Sequence, residues 1–163
     1  MSNFFFIERK SNKINSPLIV LIHGYGSNER DLFSLIDYLP IDSYVISLRA
    51  PKELFNDSYA WYDIYLDSNN KFYDHDAAAR VRDELFHFID DLSKSPNIDS
   101  DNITLIGFSQ GAILSHAISF SYPKKIKNII ALSGVIDEKI MKKTNLIPKT
   151  NIYISHGTND NLI

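Results

Sequence analysis

The chain has 163 residues, of which 44% are apolar and 23% charged, a composition typical of one globular domain with its own core. Its net charge of −3 argues against a nucleic-acid partner, and the absence of cysteine excludes disulfides, thiolate metal sites and thiol catalysis. The apolar runs are far shorter than the roughly 20 residues that cross a bilayer. We therefore expect a cytoplasmic protein with no transmembrane segment, folded as a single domain over residues 1–163.

Short apolar runs alternate with longer amphipathic stretches, which is typical of an α/β fold with a mostly parallel sheet. In chain order, the predicted elements are strands at 4–9 and 18–22, a helix through 32–39 that Pro40 ends, a strand at 44–48, a helix at 77–92, a strand at 103–106, a helix at 110–120, and strands at 129–132 and 152–154.

Residues 49–73 show no clear period and are rich in aromatic, Asn and Asp residues. Long irregular segments of compact domains are usually functional loops or lids. A surface excursion whose aromatic side chains pack on the core is an equally good interpretation. The sequence leaves both open.

The strongest chemical signal is the motif Gly-Phe-Ser-Gln-Gly at residues 107–111. The motif alone is weak, but here it follows a predicted strand and opens a predicted helix, the context of a nucleophile elbow. A strand that turns directly into a helix strains its middle residue, and the close backbones require small residues two positions away. We therefore predict Ser109 as a nucleophile, with Gly107 and Gly111 permitting the turn and the helix N-terminus favouring negative charge. The alternative is a strand–helix turn with incidental glycines.

Two further loops follow predicted strands. The sequence His-Gly-Tyr-Gly at residues 23–26 can turn backbone N–H groups inward, so the N–H groups of Tyr25 and Gln110 are candidates for an oxyanion hole. The sequence His-Gly-Thr-Asn-Asp at residues 156–160 ends in Asp160, and an acid beyond the carboxyl end of a strand can orient a catalytic histidine. The alternatives are a loop hinge at residues 23–26 and a solvated aspartate at position 160.

These motifs, in this order, resemble the phospholipase/carboxylesterase family of α/β-hydrolases, which includes acyl-protein thioesterases and lysophospholipases. Three other segments carry the same resemblance: Arg-Ala-Pro at 49–51, Ala-Trp-Tyr-Asp-Ile at 60–64, and Leu-Ser-Gly at 132–134. The resemblance covers nearly the whole chain. It implies an α/β-hydrolase fold with helices on both faces of a mostly parallel sheet.

The resemblance also implies roles for individual residues. Ser109 would be the nucleophile and Asp160 the triad acid, while Tyr25 and Gln110 would donate the oxyanion N–H groups. Trp61 would line the acyl pocket and bind substrate. The implied substrates are small acyl esters, thioesters or lysophospholipids, hydrolysed without a metal or an organic cofactor.

The chain departs from the family pattern at the triad histidine. The triad of α/β-hydrolases runs Ser, then Asp, then His along the chain. All five histidines of this chain precede Asp160: His23, His75, His87, His116 and His156. The resemblance therefore implies a family member cut short by one helix, one strand and a loop, roughly 25–35 residues.

Two consequences are expected. Without a base, Ser109 is a poor nucleophile, so we expect low activity from these 163 residues alone. Without a further strand, residues 152–154 are expected to form an exposed apolar edge through which copies of the chain self-associate, with reduced stability.

Two classes of function remain open. One is a serine carboxylic-ester hydrolase of the carboxylesterase, lysophospholipase or acyl-thioesterase type; the other is a non-catalytic remnant or binding module with the same fold. Serine at the elbow argues against dienelactone-type hydrolases, which have cysteine there, and against dehalogenases, which have aspartate. A nucleotide-binding α/β fold is disfavoured because neither G-x-G-x-x-G nor a Walker pattern is present.

Overall fold

The computed structural model describes residues 4–67 and 70–160. In chain order, its strands and helices are β1 (Phe6–Arg9), β2 (Ser16–Ile22), α1 (Arg30–Phe33), β3 (Tyr44–Leu48), β4 (Lys52–Phe55), β5 (Ser58–Ala60), β6 (Ile64–Asp67), β7 (Asn70–Tyr73), α2 (His75–Ser93), β8 (Ile98–Phe108), α3 (Gln110–Ser121), β9 (Asn128–Leu132) and β10 (Asn151–Ser155). Two short 3₁₀ turns lie at Ile36–Tyr38 and Glu138–Ile140.

Six of these strands form the central sheet, in the order β1-β3-β2-β8-β9-β10. Strand β1 is antiparallel to β3, and the other neighbours are parallel. The expected mostly parallel sheet is therefore confirmed. Because β2, β8, β9 and β10 run in the same direction, the loops that follow them lie at one edge of the sheet.

Alternate side chains of β2 enter two separate cores. Leu18, Val20 and Ile22 pack in the larger core, which contains buried side chains of α2 and α3. Ile19 and Leu21 pack in the smaller core with Leu32 of α1. The strand is thus covered on both faces, which explains its unbroken apolar run.

Helix α2 begins two residues before the predicted start because Asp74 caps it. The Asp74 carboxylate accepts hydrogen bonds from the backbone N–H groups of Asp76 and Ala77, at 2.9 and 3.0 Å. An N-cap side chain that satisfies free N–H groups in this way fixes where a helix starts.

The single helix predicted through residues 32–39 is wrong. The structure instead has the one-turn helix α1 and then a 3₁₀ turn, with Leu35 N–H bonded to Leu32 O at 3.0 Å. An α-helical bond to Ile36 O would need an N–H at position 40, which is proline. The Arg9 guanidinium donates to Ile36 O at 2.8 Å and to Pro40 O at 2.6 Å instead.

The prediction of an irregular segment over residues 49–73 is also wrong. Two hairpins form there, β4 with β5 and β6 with β7, each antiparallel. The first hairpin turns at Asn56 and Asp57, with φ of 38° and 61°. Asn and Asp tolerate this left-handed conformation, so the Asn-Asp pair is a turn signal that hydrophobic periodicity does not reveal.

In the part of the chain that the structure describes, no helix is long and apolar enough to cross a membrane.

Candidate active site

The predicted motifs meet at the carboxyl edge of the sheet. His23 follows β2, Ser109 follows β8, and His156 follows β10. The N–H of Ser109 donates to Leu132 O of β9 at 2.9 Å, and the N–H of Ser133 donates to Ser155 O of β10 at 2.8 Å. These bonds carry the hydrogen-bond ladder past the strand ends, so the loops after β8, β9 and β10 are held side by side.

Ser109 occupies a strained turn between β8 and α3. Its φ is 50° and its ψ is −114°, a conformation that costs free energy for a residue with a Cβ. Its carbonyl accepts the first bonds of α3, from the N–H groups of Ala112 and Ile113, both at 3.0 Å. The side chain is half-buried. This is the strand–turn–helix geometry that the motif at residues 107–111 predicts.

Two glycines are required by close backbone contacts on either side of this turn. A Cβ on Gly107 would lie 2.3 Å from Gly111 O, and a Cβ on Gly111 would lie 1.9 Å from Ile22 O. No side chain fits at either position. The strand and helix therefore approach as closely as predicted, and α3 also packs against the end of β2.

The loop after β2 lies directly beside Ser109. A Cβ built on Gly24 would be 3.3 Å from Ser109 Cβ. The next residue, Tyr25, and the residue after the serine, Gln110, are the predicted oxyanion donors. Within residues 4–67 and 70–160 neither of their backbone N–H groups donates a hydrogen bond. Both N–H groups can thus donate to an anionic partner beside Ser109, and that of Gln110 opens helix α3, where the helix dipole favours negative charge.

The Gln110 side chain has a separate, structural set of contacts. Its Oε1 accepts the N–H of Trp61 at 3.1 Å, and its Nε2 donates to Tyr62 O at 2.8 Å. The Trp61 indole N–H donates to His23 O at 2.8 Å. Trp61 is only 2% exposed, so its contribution to substrate binding stays a prediction.

His23 is fully buried and both of its ring nitrogens have partners. Nε2 accepts the N–H of Ala50 at 3.0 Å, and Nδ1 lies 2.7 Å from Gly24 O. Nδ1 therefore carries the proton and donates to Gly24 O. Burial holds the pKa of His23 below its ordinary value. A neutral imidazole with no free nitrogen cannot serve as a base for Ser109.

The other histidines lie in different surroundings. His116 on α3 is fully buried, and its nitrogens have no hydrogen-bond partner in the described part of the chain. His75 begins α2, with Nε2 3.6 Å from the Asp137 carboxylate. His87 is exposed on the same helix. The described residues include no hydrogen bond between a histidine and the Ser109 hydroxyl.

Asp160 lies in the loop after β10, as the sequence order requires. Its carboxylate is 3.5 Å from Nε2 of His156, the fourth residue before it. The backbone N–H of Asp160 donates to Gly157 O at 3.2 Å. Asp160 is therefore held in a compact turn at the carboxyl edge of the sheet. Its assignment as a triad acid stays a prediction.

The sequence did not predict an ion pair between Glu29 and Arg49, next to the loop after β2. Glu29, 2% exposed at its side chain, receives two hydrogen bonds from the Arg49 guanidinium, at 2.6 and 2.7 Å. The guanidinium lies over the rings of Phe5 and Tyr59, 4.3 and 4.7 Å from their centroids. The pair ties the loop after β2 to the segment after β3. Arg49 belongs to a segment that carries the family resemblance, but no local pattern pairs it with Glu29.

The hairpin β4–β5 binds the same loop through its backbone. The N–H of Gly26 donates to Tyr59 O at 2.9 Å, and the N–H of Tyr59 donates to Ser27 O at 2.8 Å. The Ser58 hydroxyl adds a bond to Gly26 O at 2.7 Å. The loop that carries Tyr25 is therefore rigidly held.

Among the described residues, no group of three or more His, Cys, Asp or Glu side chains is placed to bind a metal ion.

Comparisons with known proteins identify a family and relatives of this chain. The profile of the phospholipase/carboxylesterase family matches residues 2–163. The chain is 36% identical to acyl-protein thioesterase 1 of Schizosaccharomyces pombe over 77 residues, 47% of this chain and 34% of that protein. It is 34% identical to acyl-protein thioesterase 1 of Debaryomyces hansenii over 109 residues, 63% of this chain and 46% of that protein. The chain thus spans about half the length, or less, of these relatives.

Solved structures share the fold. The carboxylesterase of Bacillus cereus superposes with a TM-score of 0.81 at 24% identity, covering 98% of this chain and 73% of that one. At this level of identity the likeness establishes the α/β-hydrolase fold alone. Together with the family profile over residues 2–163, it shows that the chain belongs to the phospholipase/carboxylesterase family.

Proposed function

We propose that this protein is a serine carboxylic-ester hydrolase of the carboxylesterase, lysophospholipase or acyl-thioesterase type. One observation carries the proposal. Ser109 has a φ of 50° at the junction of β8 and α3, beside two backbone N–H groups without partners in the described chain. Backbone strain of this kind persists where it serves a function, and here it sets a hydroxyl at a helix N-terminus.

The proposed reaction begins with attack of Ser109 Oγ on the acyl carbonyl carbon. The carbonyl oxygen becomes an oxyanion, which the N–H groups of Tyr25 and Gln110 stabilise. The Oγ proton leaves to a base, and the leaving alcohol or thiol departs with a proton as the acyl-serine forms. Water then attacks the acyl-serine by the same route, releasing the acid and restoring Ser109. No step requires a metal or an organic cofactor.

The base is the open part of this scheme. The triad of α/β-hydrolases runs Ser, then Asp, then His along the chain, so the histidine base would follow Asp160. Residues 161–163 of this sequence include no histidine. His23 and His116 are unsuited because the first has both nitrogens engaged and the second is buried. We therefore expect Ser109 to react slowly in these 163 residues alone, with Asp160 as the acid of the triad.

The proposed substrates are small acyl esters, thioesters or lysophospholipids. Apolar side chains are exposed at the carboxyl edge of the sheet: Phe108 at the end of β8, at 41%, and Val135 and Ile136 in the segment after β9, at 42% and 50%. An apolar acyl chain bound there would cover surface that is otherwise in water. We also propose that residues 1–163 form one domain, since β1 and β10 belong to the same sheet.

The test is acylation of Ser109 by p-nitrophenyl acetate. We expect slow release of p-nitrophenol and an acetyl group on the peptide that contains Ser109, both absent from Ser109→Ala. Ser34→Ala is the matched control, because Ser34 is an exposed serine directly after α1 and outside the motif at residues 107–111, and its reaction is expected to equal that of the wild type. Equal release from the wild type and Ser109→Ala, without acetylated Ser109, contradicts the proposal.

A second candidate is a binding module that retains the fold without turnover. The observation in its favour is that none of the described histidines is hydrogen-bonded to Ser109 Oγ, so the hydroxyl is not activated as seen. This candidate predicts binding of a non-hydrolysable ether analogue of a lysophospholipid, measured by calorimetry, with no acetylation of Ser109. Acetylation that depends on Ser109 rejects it.

A further inference from the structure

Trp61 lies between the two segments that carry the proposed oxyanion donors. Its backbone N–H donates to Gln110 Oε1 at 3.1 Å, and its indole N–H donates to His23 O at 2.8 Å. Gln110 Nε2 returns a bond to Tyr62 O at 2.8 Å. Residues 61 and 62 are therefore bonded on one side to the residue after the nucleophile, and on the other to the loop that contains Tyr25.

These bonds are all removed from water. Trp61, Gln110 and His23 are 2%, 1% and 0% exposed. A buried hydrogen bond cannot be exchanged for one to solvent, so losing its donor leaves an unsatisfied acceptor. The indole also packs on the rings of Phe4 and His23, with centroids 5.9 and 5.3 Å away. The ring has little free surface to offer an acyl chain.

We infer that Trp61 is a positioning residue, which holds the N–H groups of Tyr25 and Gln110 at a fixed separation across Ser109. This inference rests on the proposed function. An oxyanion needs its donors about 2.7–3.1 Å away, and a displacement of about 1 Å in a reacting group can cost roughly 100-fold in rate. Trp61 would thus act on the chemical step through His23 and Gln110, without touching the substrate.

The test uses Trp61→Phe, which keeps an aromatic ring and removes the indole N–H. Gln110→Met is a second variant that keeps the backbone N–H of residue 110 and removes both side-chain bonds to residues 61 and 62. Phe86→Leu is the matched control, because Phe86 is a buried aromatic residue of α2 in the same core, and its ring stacks on Tyr122. Unfolding temperatures of all variants separate a general loss of stability from a local effect.

Two readouts are measured on the same proteins. In ¹⁵N–¹H spectra, the amide signals of both Tyr25 and Gln110 are expected to shift or broaden in Trp61→Phe and to stay in place in Phe86→Leu. For p-nitrophenyl acetate and p-nitrophenyl octanoate, kcat is expected to fall about 10- to 100-fold in Trp61→Phe and in Gln110→Met. The KM is expected to stay within about twofold and the loss to be the same for both acyl chains, because positioning acts on the transition state.

Two results overturn the inference. Unchanged amide signals at Tyr25 and Gln110 in Trp61→Phe show that the indole bond does not position the donors. A KM that rises for octanoate alone, with kcat intact, assigns Trp61 to the acyl pocket instead. If the wild type reacts no faster than Ser109→Ala, the proposed function fails, and the amide spectra alone then decide whether Trp61 positions the two loops.

Discussion

The imidazole of His23 accepts a hydrogen bond from the backbone N–H of Ala50, 3.0 Å from Nε2, at a site with no solvent exposure. An imidazole nitrogen that accepts carries no proton, so the ring is neutral and Nδ1 is the donor to Gly24 O. Protonation of Nε2 would break the bond to Ala50. His23 therefore holds the loop after β2 to the segment after β3 only in its neutral form.

The first prediction is a loss of stability in mild acid. Burial holds the pKa values of His23 and His116 below their ordinary value of 6.5. As the pH falls through 6.5, the unfolded chain takes up these protons before the folded protein does, so the free energy of unfolding decreases. We expect urea unfolding to give a smaller free energy at pH 5.5 than at pH 7.5. An unfolding free energy that stays the same or increases as the pH falls from 7.5 to 5.5 would contradict the assignment of both rings as neutral.

The second prediction is that His116→Leu stabilises the protein. The nitrogens of His116 are buried without a hydrogen-bond partner among the described residues, and leucine has a similar volume. Removing an unsatisfied buried polar group should raise the free energy of unfolding by about 1 kcal/mol at pH 7.5 and lessen the acid loss. His87→Gln, at an exposed position of α2, is the control and should leave both quantities unchanged. Equal pH profiles for His116→Leu and the wild type would argue against this account.

The third prediction concerns the glycines of the elbow. Gly111→Ala places a Cβ 1.9 Å from Ile22 O, a backbone atom that cannot move without displacing β2. We expect a loss of about 3 kcal/mol or more in unfolding free energy, because overpacking at a backbone contact exceeds the usual cost of about 1–3 kcal/mol in a core. Gly157→Ala is the control, because a Cβ there meets its nearest atom at an ordinary 3.7 Å. Similar denaturation midpoints for the two variants would show that α3 can move away from β2.

The sequence was sufficient for features with a strong local signal. The buried strands and the helices α2 and α3 follow from periodicity, and the strained turn at Ser109 follows from the glycine spacing at residues 107–111. It failed where distant residues decide the local structure. After α1, the carbonyls of Ile36 and Pro40 accept hydrogen bonds from Arg9, which is far away in sequence, so the bonding of this segment does not follow from its own residues. The bond from Trp61 to His23 is equally non-local, so no motif could distinguish a positioning tryptophan from one that lines a pocket.

The fourth prediction concerns the ion pair between Glu29 and Arg49. The Arg49 guanidinium holds the pKa of Glu29 below its ordinary value, so the carboxylate is charged although its side chain is 2% exposed. Arg49→Met removes both hydrogen bonds to that charge and leaves it only the longer contact to Arg30 Nε, at 3.6 Å, so it should lower the unfolding free energy by about 3 kcal/mol. Adding Glu29→Gln to Arg49→Met should recover part of the loss, since no charge is then buried.

The exposed pair of Lys13 and Asp42 serves as the comparison for this ion pair, with side chains 63% and 52% exposed. Lys13→Ala should cost less than about 1 kcal/mol, because solvent screens exposed ion pairs. If Arg49→Met costs no more than Lys13→Ala, the pair does not stabilise the loop after β2.

The last prediction is self-association through β10, which remains a proposal. Within residues 4–67 and 70–160, no strand pairs with the outer side of β10. Asn151 and Ser155 bond toward β9 through Lys127 O and Ser133 N, so the backbone groups of the alternate residues, Ile152 and Ile154, point outward. Unpaired strand edges with apolar side chains tend to pair with another chain, and Ile154 is 52% exposed.

We therefore expect the sedimentation coefficient to rise with protein concentration, and Ile154→Lys to reduce this rise because a charge on an edge strand opposes pairing. Ile147→Lys is the control, since Ile147 is 87% exposed but lies outside the strand, and it should associate like the wild type. Two outcomes are incompatible with an edge contact: a monomer at every concentration, or equal effects of the two lysines. The second would point to general apolar exposure in place of strand pairing, because only Ile154 lies where backbone groups are free to bond.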